Sequence, residues 1–160
     1  AKTRGIITAC LTNNEVDANG GALTKAMIQS LMKEMATNGA VFENPVLFCN
    51  AYQKQKLSDI YGYAPESRTV GGVNVEQIYT DFAQLGVIWS PNVPTDTILV
   101  ADMNYVYPVF CPVPGKGLVF YEDLAQVGAS MKGQMYGQMG IDYGPVQYHG
   151  VITGLEDGED

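Results

Sequence analysis

The stretch ALTKAMIQSLMKEMATNG, residues 22–39, constrains the fold more than any other part of the chain. Leu23, Met27, Leu31 and Met35 recur at every fourth position, and Ile28 and Met32 widen the stripe. Lys25, Gln29 and Lys33 fall on the opposite side. Apolar residues at this spacing share one face of a helix, so a helix is predicted over 22–37 with that stripe against a core. Asn38-Gly39 ends it, because glycine tolerates the left-handed conformation of a helix C-terminus.

A second helix follows after a short buried strand. NPVLFCN supplies the strand, Pro45 to Cys49; Asn50 is placed as the N-cap of AYQKQKLSDIY, which Gly62 stops. Before the first helix, residues 1–21 read as strand or loop: RGIITACLT is a β-branched run and NNEVDANGG is turn chemistry. GYAPESRTVGG reads as a loop of a length that is usually functional or mobile. From Val75 the period changes to two. VNVEQIYTDF, LGVIWS, TILVA and YPVFCPV read as successive strands, with Pro91 and Pro94 between strands because proline cannot donate to a ladder. GLVFYEDLAQVG reads as two more short strands around Glu122-Asp123. The remainder is rich in Gly and Met and contains GQM twice, too short a period for a repeat architecture. The fold class is therefore α+β, a mixed sheet with flanking helices.

A chain of 160 residues suits one domain or two small lobes. With 46% hydrophobic and 16% charged residues it has the balance of a globular protein, and its low charge density fits a surface covered by a partner. The net charge of −8 and nine scattered basic residues form no stripe for a phosphate backbone, so direct nucleic-acid binding is not expected. Residues 156–160 read as an acidic tail. Cys10, Cys49 and Cys111 are well separated and form no C-x-x-C, which favours reduced thiols in a reducing compartment. No secretory signal is visible and no apolar run approaches membrane-spanning length. The start at Ala1 fits a processed chain or a piece of a longer one.

The search for chemistry assigns no catalytic, cofactor-binding or metal-binding residue. PGKG at 114–117 lacks the upstream glycine and following Ser or Thr of a phosphate loop, and GGVN at 71–74 is not a dinucleotide fingerprint. His149 is the one histidine. A Cys111–His149–Asp102 constellation can be written down, but no surrounding motif supports it. One histidine with no spaced carboxylate pair makes no metal-ligand set. Asp81, Asp96, Asp102 and the Glu122-Asp123 pair all stand where strands turn, where aspartate bonds its own backbone.

The segment VNVEQIYTDFAQLGVIWSPNVPTDTILVADMNYV, residues 73–106, adds a resemblance. In serial order with the helix ending at Asn38-Gly39, the strand NPVLFCN, the lysine-bearing helix AYQKQKLSDI and the ending LAQVGASMKGQM…GPVQYHGVITGL, it resembles the major capsid proteins of tailed phages and prophages. These have the shell fold named after phage Hong Kong ninety-seven, here in its SU-ten-like branch. The likeness runs from Arg4 to Leu155. It implies a structural subunit of an icosahedral capsid, without enzyme activity or cofactor. Residues 1–110 would form a wedge-like axial domain at the capsomer centre, 111–155 the terminal strands of a peripheral domain, and 156–160 the tail. Family members carry an N-terminal arm, an extended loop and a spine helix before this region, so the resemblance implies the C-terminal half of a subunit. The implied partners are other copies in pentamers and hexamers, with neither membrane nor sequence-specific nucleic acid. The isolated piece is expected to be a monomer or weak oligomer. The implied location is the virion capsid, with the host cytoplasm during assembly. Tyr61–Gly72 is the candidate capsomer-facing edge. Two other classes stay open: a phage or bacterial surface binding module, and a small cysteine hydrolase using Cys111.

Overall fold

The computed structural model describes residues 4–62 and 76–158. The chain forms two compact units. The larger runs from Gly5 to Val106 and resumes at Tyr143; the smaller is built on Tyr107–Asp142. The larger unit begins with helix α1 (Ile6–Cys10), strand β1 (Glu15–Asp17), helix α2 (Lys25–Thr37), strand β2 (Pro45–Cys49) and helix α3 (Ala51–Tyr61). It continues with β3 (Gln77–Tyr79), β4 (Gln84–Trp89) and β5 (Ile98–Asp102). The chain then leaves for β6 (Tyr107–Cys111), β7 (Val119–Asp123) and β8 (Gly133–Asp142), and returns for β9 (Gly150–Thr153).

The larger sheet has the order β1-β9-β5-β2-β4-β3. It is mixed: β1 with β9 and β2 with β4 are parallel, the other pairs antiparallel. The expected α+β class with a mixed sheet and flanking helices is what the chain adopts. The strands after residue 75 do follow one another along the chain. They are not all neighbours in space, because β2 lies between β4 and β5.

Register divides the sheet residues between two faces. Leu47, Cys49, Ile78, Leu85, Ile98, Val100 and Ile152 share the first face, and all are buried in one cluster with Ile28, Leu31, Met32 and Met35 of α2 and Leu57 of α3. Helix α2 begins three residues later than the stripe suggests, because Thr24 is its cap: the Thr24 side chain accepts a hydrogen bond from the Met27 N–H. Leu23, just outside the cap, is buried in the same cluster as Ile28, the arrangement of a hydrophobic staple. Of the four stripe residues, Leu23, Leu31 and Met35 are buried and Met27 is partly so. Asn50 caps α3 through the Ala51 N–H. Helix α2 rides directly on β9: a Cβ added at Gly150 would stand 2.8 Å from both Leu31 Cδ1 and Met35 Sδ.

The second face carries a smaller cluster of Cys10, Leu99, Ala101 and Val151, with Ile6, Ile7 and Phe48 packed against it. Helix α1 therefore covers only the β9–β5 side. Here the expectation of strand or loop for residues 4–12 is corrected. Ile6, Ile7 and Cys10 fall on one side of a single helical turn, and burial against Leu99 and Val151 outweighs the β-propensity of a short branched run. Residues 15–17, read as turn, pair in parallel with β9, a partner more than 130 positions away that local sequence cannot reveal. The two short strands expected around Glu122-Asp123 are one, β7.

The smaller unit is a three-stranded antiparallel sheet of order β6-β8-β7. Tyr107–Phe110 pair with β8, while β9 lies inside the larger sheet, between β1 and β5.

Candidate assembly surfaces

Two of the aspartates, Asp102 and Asp96, brace turns of the larger unit. Asp102, at the end of β5, is almost fully buried. Its Oδ2 accepts from the Glu43 N–H at 3.0 Å, and its Oδ1 accepts from the N–H groups of Asn44 at 3.2 Å and Asn104 at 3.1 Å. The carboxylate thus pins the entry to β2 and the exit from β5. Asp96 accepts from the Thr97 hydroxyl in the turn before β5. Asp81 stands exposed in the β3–β4 turn. Glu122 lies on β7, where its hydrogen bond with Lys116 and a second from Gln134 hold its carboxyl below the usual carboxylate range. Asp123 is exposed at the end of the same strand.

His149 is fully buried, and both ring nitrogens face main-chain groups. Nδ1 accepts from the Asp102 N–H at 3.1 Å, and Nε2 donates to the Tyr143 carbonyl. These bonds define the neutral ring with its proton on Nε2. They leave no nitrogen to take a proton from a thiol, so the arrangement does not serve a Cys111 nucleophile. Cys111 lies exposed on β6, in the other unit. Cys10 and Cys49 pack as small hydrophobes, and burial pushes the Cys49 thiol up to about 11. Among the described residues no group of three His, Cys, Asp or Glu side chains could hold a metal ion. No helix among them is long and apolar enough to cross a membrane.

Burial pushes the His149 imidazole below its ordinary range, against the opposing pull of the Tyr143 carbonyl and the Asp102 charge. In the unfolded chain the ring takes a proton near pH ~6.5. As the pH falls through that value the unfolded state binds the extra proton and the folded state resists it, so stability falls. Urea midpoints measured between about pH 7 and pH 5 are expected to drop for the wild type and to drop less for His149→Gln. Parallel curves for the two proteins would remove His149 from this account.

Sequence reasoning missed two buried amides. Asn14 donates to the carbonyls of Gln147 at 3.0 Å and His149 at 2.8 Å, and accepts from the Asn38 side chain. It joins the segment after α1, the end of α2 and the approach to β9. Gln53 donates to the carbonyls of Thr95 and Glu156, tying α3 to the turn before β5 and to the segment after β9. Asn14 sits among turn residues and Gln53 on a polar helix, so neither carries a distinguishing local signal.

Among the described residues two surfaces are left open. In the smaller unit, register places Pro108 and Phe110, Val119 and Tyr121, and Met135, Met139 and Ile141 on one face of the sheet. All seven are exposed, Met135 at 76% and Tyr121 at 65%. Gly133 and Gly137 lie on this face too, with the Tyr121 and Val119 side chains over them, and Asp123, opposite Gly133, bounds it at one end. The opposite face mixes polar and apolar residues: Gln134, Gln138 and Glu122 share it with Tyr107, Val109, Cys111 and the Phe120–Tyr136 ring pair. One side of this sheet is therefore a continuous apolar surface, well beyond the scattered apolar residues of an ordinary exterior. In the larger unit, the β4–β3 half of the second face is uncovered among the described residues, with Tyr79 76% and Ile88 46% exposed. The loop candidate Tyr61–Gly72 lies outside the described residues beyond Gly62.

Comparison with known proteins then gives a consistent picture. The family model described as SU10 major capsid protein matches residues 1–156. No curated protein matches the chain. Among solved structures, the holo-SrpI encapsulin complex from Synechococcus elongatus PCC 7942 is similar with a TM-score of 0.60 at 11% identity, covering 97% of this chain. The chain spans 57% of that encapsulin's length.

Proposed function

From a chain that belongs to the SU10 major capsid protein family, a structural subunit of the capsid with the shell fold named after phage Hong Kong ninety-seven, we propose the following division of labour. The larger unit is the axial domain, facing the capsomer centre. Tyr107–Asp142 supplies strands of the peripheral domain. The complete subunit works through contacts with copies of itself, in pentamers and hexamers closed by symmetry, and not through catalysis. It is made and assembled in the host cytoplasm and ends in the virion shell. The isolated chain is a monomer or weak oligomer.

The observation that carries this reading is the apolar face of the smaller sheet. A three-stranded sheet gains stability by covering its hydrophobic face, and here Phe110, Val119, Tyr121, Met135 and Met139 are left exposed. Covering such a face removes apolar surface from water at about 25 cal/mol per Å². In a capsid subunit the cover comes from the rest of the subunit and from its neighbours in the shell.

The test uses the complete capsid protein, expressed with and without the pair Phe110→Glu and Met135→Glu. The wild type is expected to give closed particles by electron microscopy. The double variant is expected to give none, while far-ultraviolet circular dichroism of this 160-residue chain is little changed. Closed particles from the double variant would refute the assigned role of this face. A complete wild-type protein that forms no particles would refute self-assembly itself.

A further inference from the structure

We propose that Glu43, Tyr105, Gly144 and Tyr148 form a clasp that fastens together the two segments by which the chain leaves the larger unit and returns to it, so that bending between the units starts beyond residues 106 and 143. The clasp goes beyond the capsid reading and stands without it, because all four residues belong to the larger unit.

The chain crosses between the units twice, after Val106 and before Tyr143. Both crossings lead to the same end of the smaller sheet, where Tyr107 pairs with Asp142 at the first rung of the β6–β8 ladder. A connection of two strands flexes along its whole length unless its root is held. The few residues at the edge of the held part then become the hinge.

The inner ends of the two segments are joined through one imidazole: the Asp102 N–H donates to His149 Nδ1, and His149 Nε2 donates to the Tyr143 carbonyl. Farther along the outgoing segment, Tyr105 takes over. Its hydroxyl donates to Glu43 Oε1 at 3.0 Å, and the side-chain amide of Asn104 donates to Glu43 Oε2 at 3.0 Å. These bonds hold the Glu43 carboxyl below the usual carboxylate range, so it is ionised at neutral pH and both bonds are charge-assisted. Glu43 is itself fixed, because its N–H donates to the buried Asp102 carboxylate.

The Tyr105 ring lies against the Tyr148 ring of the returning segment, with centroids 4.7 Å apart and planes at 57°, within the tilted geometry that aromatic pairs favour. Gly144 closes on Tyr105 from the same segment. Its φ is +60°, and a Cβ there would stand 3.3 Å from Tyr105 Cβ and 3.4 Å from the Tyr105 carbonyl oxygen. Glycine thus serves both the left-handed turn and the close approach. The returning segment has a separate hold on the fold in Asn14, which donates to the Gln147 and His149 carbonyls. Tyr105 stands between Glu43 and the returning segment and touches both. Loss of the Glu43 bonds should therefore reach Tyr148 and His149, whose own N–H groups bond within their segment, to Pro145 and Val146.

The test is amide hydrogen exchange of the isotope-labelled 160-residue chain, followed by nuclear magnetic resonance. The Met103 and Asn104 amides report on the outgoing segment and the Tyr148 and His149 amides on the returning one; all are hydrogen-bonded. Glu43→Ala is expected to speed exchange about threefold or more at both pairs, while amides of α2 and β5 keep their wild-type rates. Tyr148→Ala is expected to act in the reverse direction and reach Met103 and Asn104. An effect of either variant that stops within one segment would overturn the clasp, because the segments would then be held separately. Unchanged rates at both pairs would overturn it too. If Glu43→Ala also loosens α2 and β5, Tyr105→Phe decides, since it keeps the ring and drops only the hydroxyl. Faster exchange at both pairs against steady α2 and β5 amides then supports the clasp, and any other pattern overturns it. The readout is independent of whether the complete protein forms particles.

Discussion

Replacing Asp102 with alanine is expected to destabilise the larger unit by about 3–5 kcal/mol. A hydrogen bond to a charged group contributes about 1.5–3 kcal/mol, and this one carboxylate accepts three backbone N–H groups, so the losses overlap and do not simply add. The effect is a large share of the ~5–15 kcal/mol that holds a domain together. Asp102→Asn keeps one carbonyl oxygen and turns an N–H₂ toward a former donor. It is expected to lose roughly half as much. Urea denaturation reads both, and the slope with denaturant should stay constant if only stability has changed. An unchanged midpoint for Asp102→Ala would show that water replaces the carboxylate without loss.

Leu31→Ala is expected to cost about 2–5 kcal/mol. Leu31 is fully buried, and it lies where α2 crosses β9 over Gly150. Truncation leaves a void between a three-turn helix and a strand hydrogen-bonded on both sides, neither of which can move inward far. That places the cost in the upper part of the range. The neighbouring glycine offers a check. In the wild type, Gly150→Ala forces a methyl group to within 2.8 Å of Leu31 and Met35 and is expected to cost about 1–3 kcal/mol. In the Leu31→Ala background the same methyl enters the void, so the double variant should be less damaged than the sum of the singles. Additive losses would mean that the two residues do not share the space assigned to them.

Much of the fold was legible where an element declares itself within its own length. Helix α2 repeats its apolar residues for more than three turns, α3 has its asparagine cap, and β2 and β5 are short apolar runs bounded by turn residues. What escaped has its cause elsewhere in the chain. Glu15–Asp17 form a strand only because Val151–Thr153 lie beside them. Residues 6–10 coil because Leu99 and Val151 need cover. Sequence placed Asp102 at a turn, correctly, but could not show that the turn beside it belongs to residues 43 and 44. The open apolar face was half-visible. Met135, Met139 and Ile141 alternate with polar or small positions, as a one-sided strand should, but Gly133 and Gly137 interleave with them on the same face and blur the pattern. The half-face on β3 and β4 was hidden more completely, because whether a sheet face is bare depends on which helix fails to reach it.

The place of β9 has a consequence for the order of events during synthesis. Strand β9 sits inside the larger sheet, between β1 and β5, yet it follows the whole of β6–β8 in the chain. A ribosome must therefore finish the smaller unit before the larger one can close. Until then Ile98, Val100 and the apolar side of α2 lack the strand that seals them. Bridging the intervening residues is entropically cheap, since loop closure grows only slowly with length, but it cannot begin early. The larger unit's helix and sheet surfaces reach their final shape only after residue 153 has emerged, so a growing chain has no finished contact surface to offer to its neighbours. Timing of this kind would keep half-made subunits out of a growing shell.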